Sequence, residues 1–412
     1  MTTSCLSGKA ARFGYNSSMP INYAQVQESL EDYTRKVKNR EDQRDEVESA
    51  LWQQLEQQSE NIEGIKARLD TAAKIAKNLY CAKPTNEALL FHKPAGKPPQ
   101  NYTLIAADGS QIAPNRHKAL EYCVINVGLI SAEMGSGKEP NFEIQSNLLD
   151  YDQLVTEDGF LIGEQQVSLL RDLSERQALA EFSRGKGRPI LSMTDGLLDI
   201  YQRLESPEEQ LKLQQEVLTL HREMEAQEVV TVGYIDKPGS ELVGRLFDIL
   251  GKSDEELARY NDKQRSIRGV SDARLFKNLL SQPGERSAIF EAFNKSRDKQ
   301  APRLIVHFFF LNIGEADAPY LARVEFPAWV SARPELVDLM HAVVYADTQV
   351  LADHPYPYLL LRAHELAIIN FAEYTDVEAM LMQKFEEEGL NAGQISHKQY
   401  GKDQVGRRSH AK

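Results

Sequence analysis

The sequence predicts an α/β protein with a mixed central sheet, flanking helices and a long N-terminal helical extension. Short apolar runs typical of buried strands alternate with stretches of helical periodicity after residue 100. Before that point, residues 22–79 contain no proline or cysteine and a single glycine, Gly64. With 412 residues, of which 42% are hydrophobic and 26% charged, the chain can bury a substantial core.

Residues 22–83 are predicted to form the helical or coiled-coil extension, and residues 1–21 before them are predicted to be disordered. Apolar side chains recur at helical spacing amid Glu, Gln, Lys and Arg, which favours one long helix or a helical hairpin. The apolar seam is too irregular over residues 39–45 for an uninterrupted heptad coil. Because a helix that is polar on most faces needs a partner, docking on the rest of the chain and pairing with a second copy both remain open.

Residues 100–390 are predicted to form the main domain, which begins after a proline-rich linker. The predicted order is strand, turn, strand over 102–131, a third strand at 142–148, a helix at 164–184 and a strand at 189–195. That order is the one expected of a ribonuclease H-like core, by analogy of fold. The later elements are a helix at 211–226, strands at 229–235, 303–311 and 320–326, and a helix at 359–371. The last helix carries apolar residues on nearly every face, so we expect it to be buried.

The composition argues against a membrane-spanning or disulfide-bonded protein. There is no run of 18 apolar residues that could span a membrane, and the N-terminus lacks the apolar region of a secretory signal. Cys5, Cys81 and Cys123 are odd in number, widely spaced and without a CxxC motif. They therefore predict neither a disulfide framework nor a structural zinc site, and they suit a reducing cytoplasm.

The formal net charge of −13 argues against a protein that coats nucleic acid through a broad basic face. It does not exclude a nuclease, because a site rich in carboxylates repels phosphate until a metal ion loads it. Residues 391–412 are predicted to be a basic, flexible tail, with Lys398, Lys402, Arg407, Arg408 and Lys412. The tail is either a solvated terminus or an arm that contacts phosphate.

Two aspartates are the first candidates for catalytic or metal-binding residues. Asp108 and Asp195 each follow an apolar, strand-like run, and each precedes a glycine. Either Asp-Gly pair alone is typical of a turn. Together with a glutamate on the intervening helix, Glu175 or Glu181, the aspartates offer the hard oxygen ligands that Mg²⁺ or Mn²⁺ requires for phosphodiester hydrolysis. The pattern therefore favours a metal-dependent nuclease.

Five separated places in the chain carry short motifs. They are DGSQIAP at 108–114 with RH at 116–117 and VINVG at 124–128, TDGLL at 194–198, GYIDKPGS at 233–240, PGERS at 283–287, and YPYL at 356–359 with AH at 363–364. Together they resemble the NurA nuclease family, in the family's order. Membership implies a ribonuclease H-like core, manganese-dependent DNA nuclease activity of exonuclease and single-strand endonuclease type, a homodimer, and a HerA-type hexameric ATPase as partner in DNA end processing.

The resemblance also implies roles for five residues. Asp108, Glu175 and Asp195 would hold Mn²⁺ or Mg²⁺, with Glu175 favoured over Glu181 because the residues around it are closer to the family's pattern. Tyr356 and His364 resemble the family's tyrosine and histidine. The histidine would ligate metal or protonate the leaving oxygen, and the tyrosine would hold the phosphate. If both lay on one helix they would be about 12 Å apart, at a rise of about 1.5 Å per residue.

Without the resemblance, His364 is typical of a core histidine, since apolar residues flank it at helical spacing. The alternative function is a catalytically silent NurA-like subunit that regulates or clamps an ATPase. The N-terminal helical region favours this alternative, because it is longer than a minimal nuclease needs. Metal-dependent cleavage by the purified protein separates the two functions.

Two further motifs carry weaker signals. The GSGK at 135–138 resembles a phosphate-binding loop, but Ala132 replaces its first glycine and Glu139 replaces its Ser or Thr, so a hairpin or loop is predicted instead. Arg286 either touches phosphate or pairs with a neighbouring acid, and the sequence does not decide between them.

Overall fold

The computed structural model describes residues 21–155, 159–199, 206–295, 304–351 and 353–390. The helices are α1 (Tyr23–Gln58), α2 (Ile62–Ile75), α3 (Tyr151–Leu154), α4 (Glu164–Phe182), α5 (Pro207–Ala226), α6 (Leu242–Leu250), α7 (Asp254–Ala258), α8 (Asp272–Phe276), α9 (Ala328–Ser331), α10 (Pro334–Thr348), α11 (Tyr358–Ala367) and α12 (Phe371–Glu387). The strands are β1 (Tyr80–Pro84), β2 (His92–Pro94), β3 (Tyr102–Ile112), β4 (Val124–Met134), β5 (Asn141–Leu148), β6 (Ile190–Asp195), β7 (Val229–Ile235), β8 (Glu285–Ser287), β9 (Phe290–Asn294), β10 (Val306–Asn312) and β11 (Leu321–Pro327). The predicted disordered start, up to residue 20, and the basic tail lie outside the described residues. Within these ranges, none of the helices has the length and apolar character needed to cross a membrane.

The N-terminal region is helical, as predicted, and consists of the successive helices α1 and α2. α1 runs through residues 39–45 without interruption and ends at Gln58, shortly before α2 begins at Ile62. The helical part then stops short of residue 83, because β1 is a strand of the central sheet. The described residues up to Ala50 form one compact unit, and those from Leu51 onward form a second.

Among its described residues, the second unit is built on an eleven-stranded sheet whose central part has the order β7-β6-β3-β4-β5. β3, β4 and β5 pair antiparallel, whereas β6 joins β3 in parallel and β7 joins β6 in parallel. Numbered from β3, the strands are arranged 5-4-1-2-3, with α4 and α5 in the connections. This is the ribonuclease H-like arrangement, which confirms the predicted fold class.

The sheet extends beyond that core on one side. β11 pairs antiparallel with β7, and β10, β9 and β1 follow in the same antiparallel manner. Phe308, Phe309 and Phe310 of β10 are completely buried. A fully buried side chain of this size contributes roughly 1.5–3 kcal/mol to stability, so β10 anchors this half of the sheet.

The central strands bury both faces, each against its own helices. Alternate residues such as Leu104 and Ala106 pack in a core with side chains of α10 and α11. The intervening Ile105 and Ala107 pack in another core with side chains of α4, including Leu179. The alternation follows from the two-residue period of a strand, and it explains why β3 reads as an unbroken apolar run.

The closing helix is shorter and more exposed than predicted. α11 ends at Ala367, and α12 begins after Asn370. Asn370 starts the new helix because its side chain accepts hydrogen bonds from the backbone N–H groups of Ala372 and Glu373, while Glu373 accepts one from the N–H of Asn370. α11 buries one side, including Leu360 and Ala363, and leaves the other exposed.

Candidate active site

Asp108 lies within β3, not in a turn. The antiparallel pairing of β3 with β4 continues past it to Ile112, and Asp108 itself pairs with Gly128. The turn that an Asp-Gly pair typically forms is absent here, and the chain reverses after Ile112 instead. The structure gives Gly109 a different role, since a Cβ there would lie 2.6 Å from Oε1 of Glu175. Glycine is needed because a helix side chain packs directly on the strand.

The parallel register brings the two predicted aspartates together. Ala107 of β3 pairs with Thr194 of β6, and this is the last pair between these strands. Asp108 and Asp195 are the next residues on each strand, so they lie side by side at one end of the sheet. Their positions in the alternation direct them to the face that α10 and α11 cover.

A third aspartate, Asp236, lies at the same end of the sheet. β7 runs parallel to β6 with Asp195 paired to Tyr234, and Asp236 follows directly after β7. Its Oδ2 accepts a hydrogen bond of 2.9 Å from the hydroxyl of Tyr320. Sequence reasoning missed this residue, although a strand followed by Asp was visible at residues 229–236 in the same pattern as the other two.

The carboxylates act on one another electrostatically. Partial burial raises the pKa of Asp195, and the negative charges of Asp108 and Asp236 raise it further. His364 and the backbone N–H of Gly196 oppose this rise. The site thus concentrates negative charge that the surrounding protein does not fully neutralise, which is the electrostatic condition for holding a cation.

Glu175 lies on α4 and is 6% exposed. Its Oε1 is 3.3 Å from Nε of Arg171, and it packs against Gly109, beside Asp108. Burial, followed by the charges of neighbouring carboxylates, raises the pKa of Glu175 to about 8, and Arg171 offsets only part of that rise. Glu181, the other candidate, is exposed further along the same helix.

His364 reaches Asp108 from α11. Its Nδ1 lies 2.5 Å from Oδ2 of Asp108, and its side chain is 58% exposed. It is therefore not a core histidine. α11 comes close enough for this contact because Gly128, the partner of Asp108 on β4, has no side chain: a Cβ there would lie 2.5 Å from the carbonyl oxygen of Ala363.

Tyr356 precedes α11 rather than lying on it, so the separation expected along a helix does not apply. Its ring meets that of Tyr234 edge-on, with centroids 5.6 Å apart. Burial raises the pKa of Tyr356, and the charges of Asp195, Asp108 and Asp236 add to the effect. The phenol therefore stays protonated beside the carboxylates and can donate a hydrogen bond.

Asp347 holds the start of α11 in place. This buried residue lies on α10, and its Oδ2 accepts a hydrogen bond of 3.2 Å from the backbone N–H of Leu359. Burial raises the pKa of Asp347 to about 7, while the backbone N–H groups lower it. Its contribution to the site is indirect, since it fixes the helix that carries His364.

Two buried charged residues, Arg176 and Glu325, form hydrogen bonds to the backbone of the loop after Asp195. Arg176 of α4 donates to the carbonyl oxygens of Leu197 and Leu198, at 3.0 and 3.2 Å. Oε2 of Glu325 accepts from the N–H of Leu198 at 2.9 Å, and its other oxygen contacts Arg323. Both sides of one peptide segment are thereby fixed, which sets the end of β6 and the direction of Asp195.

Arg286 has a structural partner. It is buried, and its guanidinium donates to both carboxylate oxygens of Glu87, at 3.0 and 2.7 Å. Of the two interpretations that the sequence leaves open, the structure shows pairing with an acid. The GSGK segment at 135–138 connects β4 to β5, where a hairpin or loop is predicted.

The donor chemistry of the site fits a hard divalent cation. Carboxylates from β3, β6 and α4, with the histidine of α11, provide oxygen and imidazole ligands of the kind that Mg²⁺ and Mn²⁺ accept. Among the described residues, no three His, Cys, Asp or Glu side chains converge into a ready-made metal group. Asp108 contacts His364 instead, and Glu175 contacts Arg171. To bind a metal ion together, these side chains would have to turn toward a common centre.

Strand order and carboxylate placement together define an α/β protein of the ribonuclease H-like class, with acidic residues at the ends of its parallel strands. The NurA domain matches residues 102–369. The chain therefore belongs to the NurA family, and it is a nuclease.

Among solved structures, the chain is similar to the NurA nuclease from Sulfolobus solfataricus, with 12% identity and a TM-score of 0.48 over 89% of this chain and 98% of that one. It is also similar to the catalytic domain of human Endonuclease V, with 12% identity and a TM-score of 0.30 over 68% and 84%. Both similarities are weak, and the family assignment rests on the domain match. No curated protein sequence matches the chain.

Proposed function

We propose that this NurA-family protein is a divalent-metal-dependent deoxyribonuclease, of exonuclease and single-strand endonuclease type, that acts in DNA end processing. The observation that carries the proposal is the register of β3 and β6, which sets Asp108 beside Asp195. From helices on opposite faces of the sheet, Glu175 packs on Gly109 next to Asp108, and His364 contacts Asp108 itself. A structural turn would not need carboxylates from three elements.

Asp108, Glu175, Asp195 and His364 would hold Mn²⁺ or Mg²⁺. Such an ion supplies positive charge that stabilises the negative charge developing on a phosphodiester during hydrolysis. Proton transfer would be carried out by side chains of the protein, namely Glu175 and His364. With a pKa of about 8, Glu175 exchanges a proton near neutral pH and gives it up when it becomes a ligand.

His364 and Tyr356 would act on the phosphate from the exposed side. Asp108 contacts Nδ1 of His364, which leaves Nε2 to ligate the ion or to protonate the leaving oxygen. Tyr356 would hold a phosphate oxygen through its protonated hydroxyl, since neighbouring carboxylates oppose its ionisation.

The partners in the proposal are DNA, a second copy of the chain and a HerA-type hexameric ATPase, acting in the cytoplasm. The net charge of −13 supports the need for a partner, because a strongly acidic nuclease grips DNA poorly at physiological salt. A translocating ATPase would supply that grip and deliver duplex ends. We expect duplex degradation to be much faster with the ATPase than without it, as measured on end-labelled DNA.

The central experiment measures cleavage of short single-stranded and linear duplex DNA by the purified protein with Mn²⁺, with Mg²⁺ and with a chelator. We expect cleavage that depends on the ion. Asp108→Ala, shown to be folded by circular dichroism, is the control for a contaminating nuclease. Equal cleavage by wild type and Asp108→Ala would contradict the proposed site. A protein that binds the ATPase but cleaves nothing would be the silent subunit.

A further inference from the structure

The first half of α1 carries five exposed apolar side chains on one line. They are Tyr23, Val26, Leu30, Tyr33 and Val37, between 37% and 64% exposed. We call this set the N-terminal stripe. Its members are separated alternately by three and four residues, and between them only Ala24 is not polar. Exposed apolar residues scattered singly need no explanation, but an unbroken line on a helix does.

The spacing of the N-terminal stripe selects a helix as its partner. Alternate steps of three and four residues are the heptad repeat, which keeps the apolar line on one side of a helix that winds around another. Tyr23, Leu30 and Val37 then occupy the a positions of the heptads, and Val26 and Tyr33 occupy the d positions. A sheet or a flat surface would not require this period.

We infer that the N-terminal stripe pairs with that of a second copy of this chain, as a parallel two-stranded coiled coil. The inference deepens the proposed homodimer and rests on it. In this register Lys36 occupies a g position and Glu41 the next e position. In a parallel pair, g of one helix faces the following e of its partner, so Lys36 and Glu41 attract each other twice across the symmetry axis.

Charge also fixes the orientation and the end of the coil. In an antiparallel pair, g faces g and e faces e, and the attraction between Lys36 and Glu41 is lost. Beyond Val37, Arg40 falls at d and Arg44 at a, where two copies would place like charges in the seam. The apolar seam therefore ends at Val37, and the attraction between Lys36 and Glu41 closes the coil just beyond it. This position agrees with the irregularity of the seam over residues 39–45, although the helix itself continues.

Disulfide trapping in the full-length protein tests the inference. Val26→Cys, in a chain that also carries Cys5→Ser, places identical thiols face to face only if two stripes meet in parallel and in register. The matched control is Glu28→Cys in the same background, at the f position on the outer side. We expect mild oxidation to give a covalent dimer for Val26→Cys, at least tenfold more than for Glu28→Cys.

A second pair of variants tests the same contact without cysteine. Leu30→Glu with Tyr33→Glu places charges in the seam, and light scattering should then show a monomer. Gln25→Glu with Asn39→Glu adds the same charge outside the seam and should remain dimeric. Both double variants should cleave short single-stranded DNA as wild type does.

The outcomes separate this inference from the proposed function. A wild-type monomer would overturn both the homodimer and the coil. A wild-type dimer in which Val26→Cys forms no more disulfide than Glu28→Cys would overturn the coil and leave the homodimer standing. Both of these outcomes are measured by oligomeric state and disulfide formation, so they do not depend on nuclease activity.

Discussion

Replacing Gly109 with alanine tests whether DNA cleavage depends on the position of the Glu175 carboxylate beside Asp108. Gly109 lies in the extended backbone of β3, so alanine introduces no conformational strain there. Its Cβ would, however, lie 2.6 Å from Oε1 of Glu175 and 2.7 Å from Cγ of Arg171. Ordinary contacts begin at 3.4 Å, so the Glu175 carboxylate must retreat by about 0.8 Å, the difference between the two distances.

A buried side chain has little room for that movement, and a misplacement of about 1 Å at a reacting centre costs on the order of 100-fold in rate. We therefore expect Gly109→Ala to slow Mn²⁺-supported cleavage of a labelled oligonucleotide by about 100-fold, while overpacking lowers stability by roughly 1–3 kcal/mol. Thermal unfolding confirms that the variant is folded. The control is Gly187→Ala, whose Cβ would meet Oγ1 of Thr103 at 3.6 Å, an ordinary contact. Wild-type turnover by folded Gly109→Ala would refute the position assigned to Glu175.

Four further predictions address the carboxylates. Asp108→Ala should abolish Mn²⁺-supported cleavage and leave the circular dichroism spectrum unchanged, and turnover like that of wild type would remove Asp108 from the site. Glu175→Gln should lose activity whereas Glu181→Gln keeps it, and the reverse result in the same cleavage assay would show that Glu181 is the ligand. The Mn²⁺ concentration for half-maximal activity should rise about tenfold per pH unit below pH 8, because the ion must displace the proton of Glu175; a flat titration between pH 6 and pH 8 would contradict this. Asp195→Asn should abolish cleavage and should also raise the melting temperature of the metal-free protein at pH 7. The folded state raises the pKa of Asp195, so the ionised carboxylate is less stable in the folded protein than in the unfolded chain, and asparagine removes this destabilisation. That stabilisation should disappear as the pH falls below the unfolded pKa of Asp195, and a lowered melting temperature at pH 7 would show that the Asp195 charge stabilises the fold.

Periodicity was sufficient to predict most of the elements that build the core. The apolar runs at 189–195 and 229–235 are β6 and β7, and the helix predicted at 164–184 is α4. A two-residue or 3.6-residue period is a property of the local sequence, so these elements are readable without knowing their neighbours. The order of strands and helices then leads to the ribonuclease H-like fold.

The site was less readable, because its geometry depends on contacts between distant segments. An Asp-Gly pair reads as a turn, and only the packing of Glu175 on β3 shows why Gly109 is there. Likewise, the strand that ends at Asp236 was visible in the sequence, but only the register of β6 and β7 shows that Asp236 lies at the site. The end of α11 was missed for a different reason, since the capping box at Asn370 was visible in the sequence but lay within an apolar run.

The hydrogen bonds of the scaffold hold the site carboxylates close together, whereas the negative charges of those carboxylates repel one another. This repulsion accounts for the metal requirement that we propose. Arg176 and Glu325 fix the loop after Asp195, and Asp347 fixes the helix that carries His364. These bonds hold the carboxylates close together although their charges raise the pKa of Asp195. A cation that binds there relieves the repulsion, so it stabilises the folded state as well as the bound phosphate. In a chain of net charge −13, the same cation would lower the local repulsion at the site, so that phosphate can approach the carboxylates once the ion is bound.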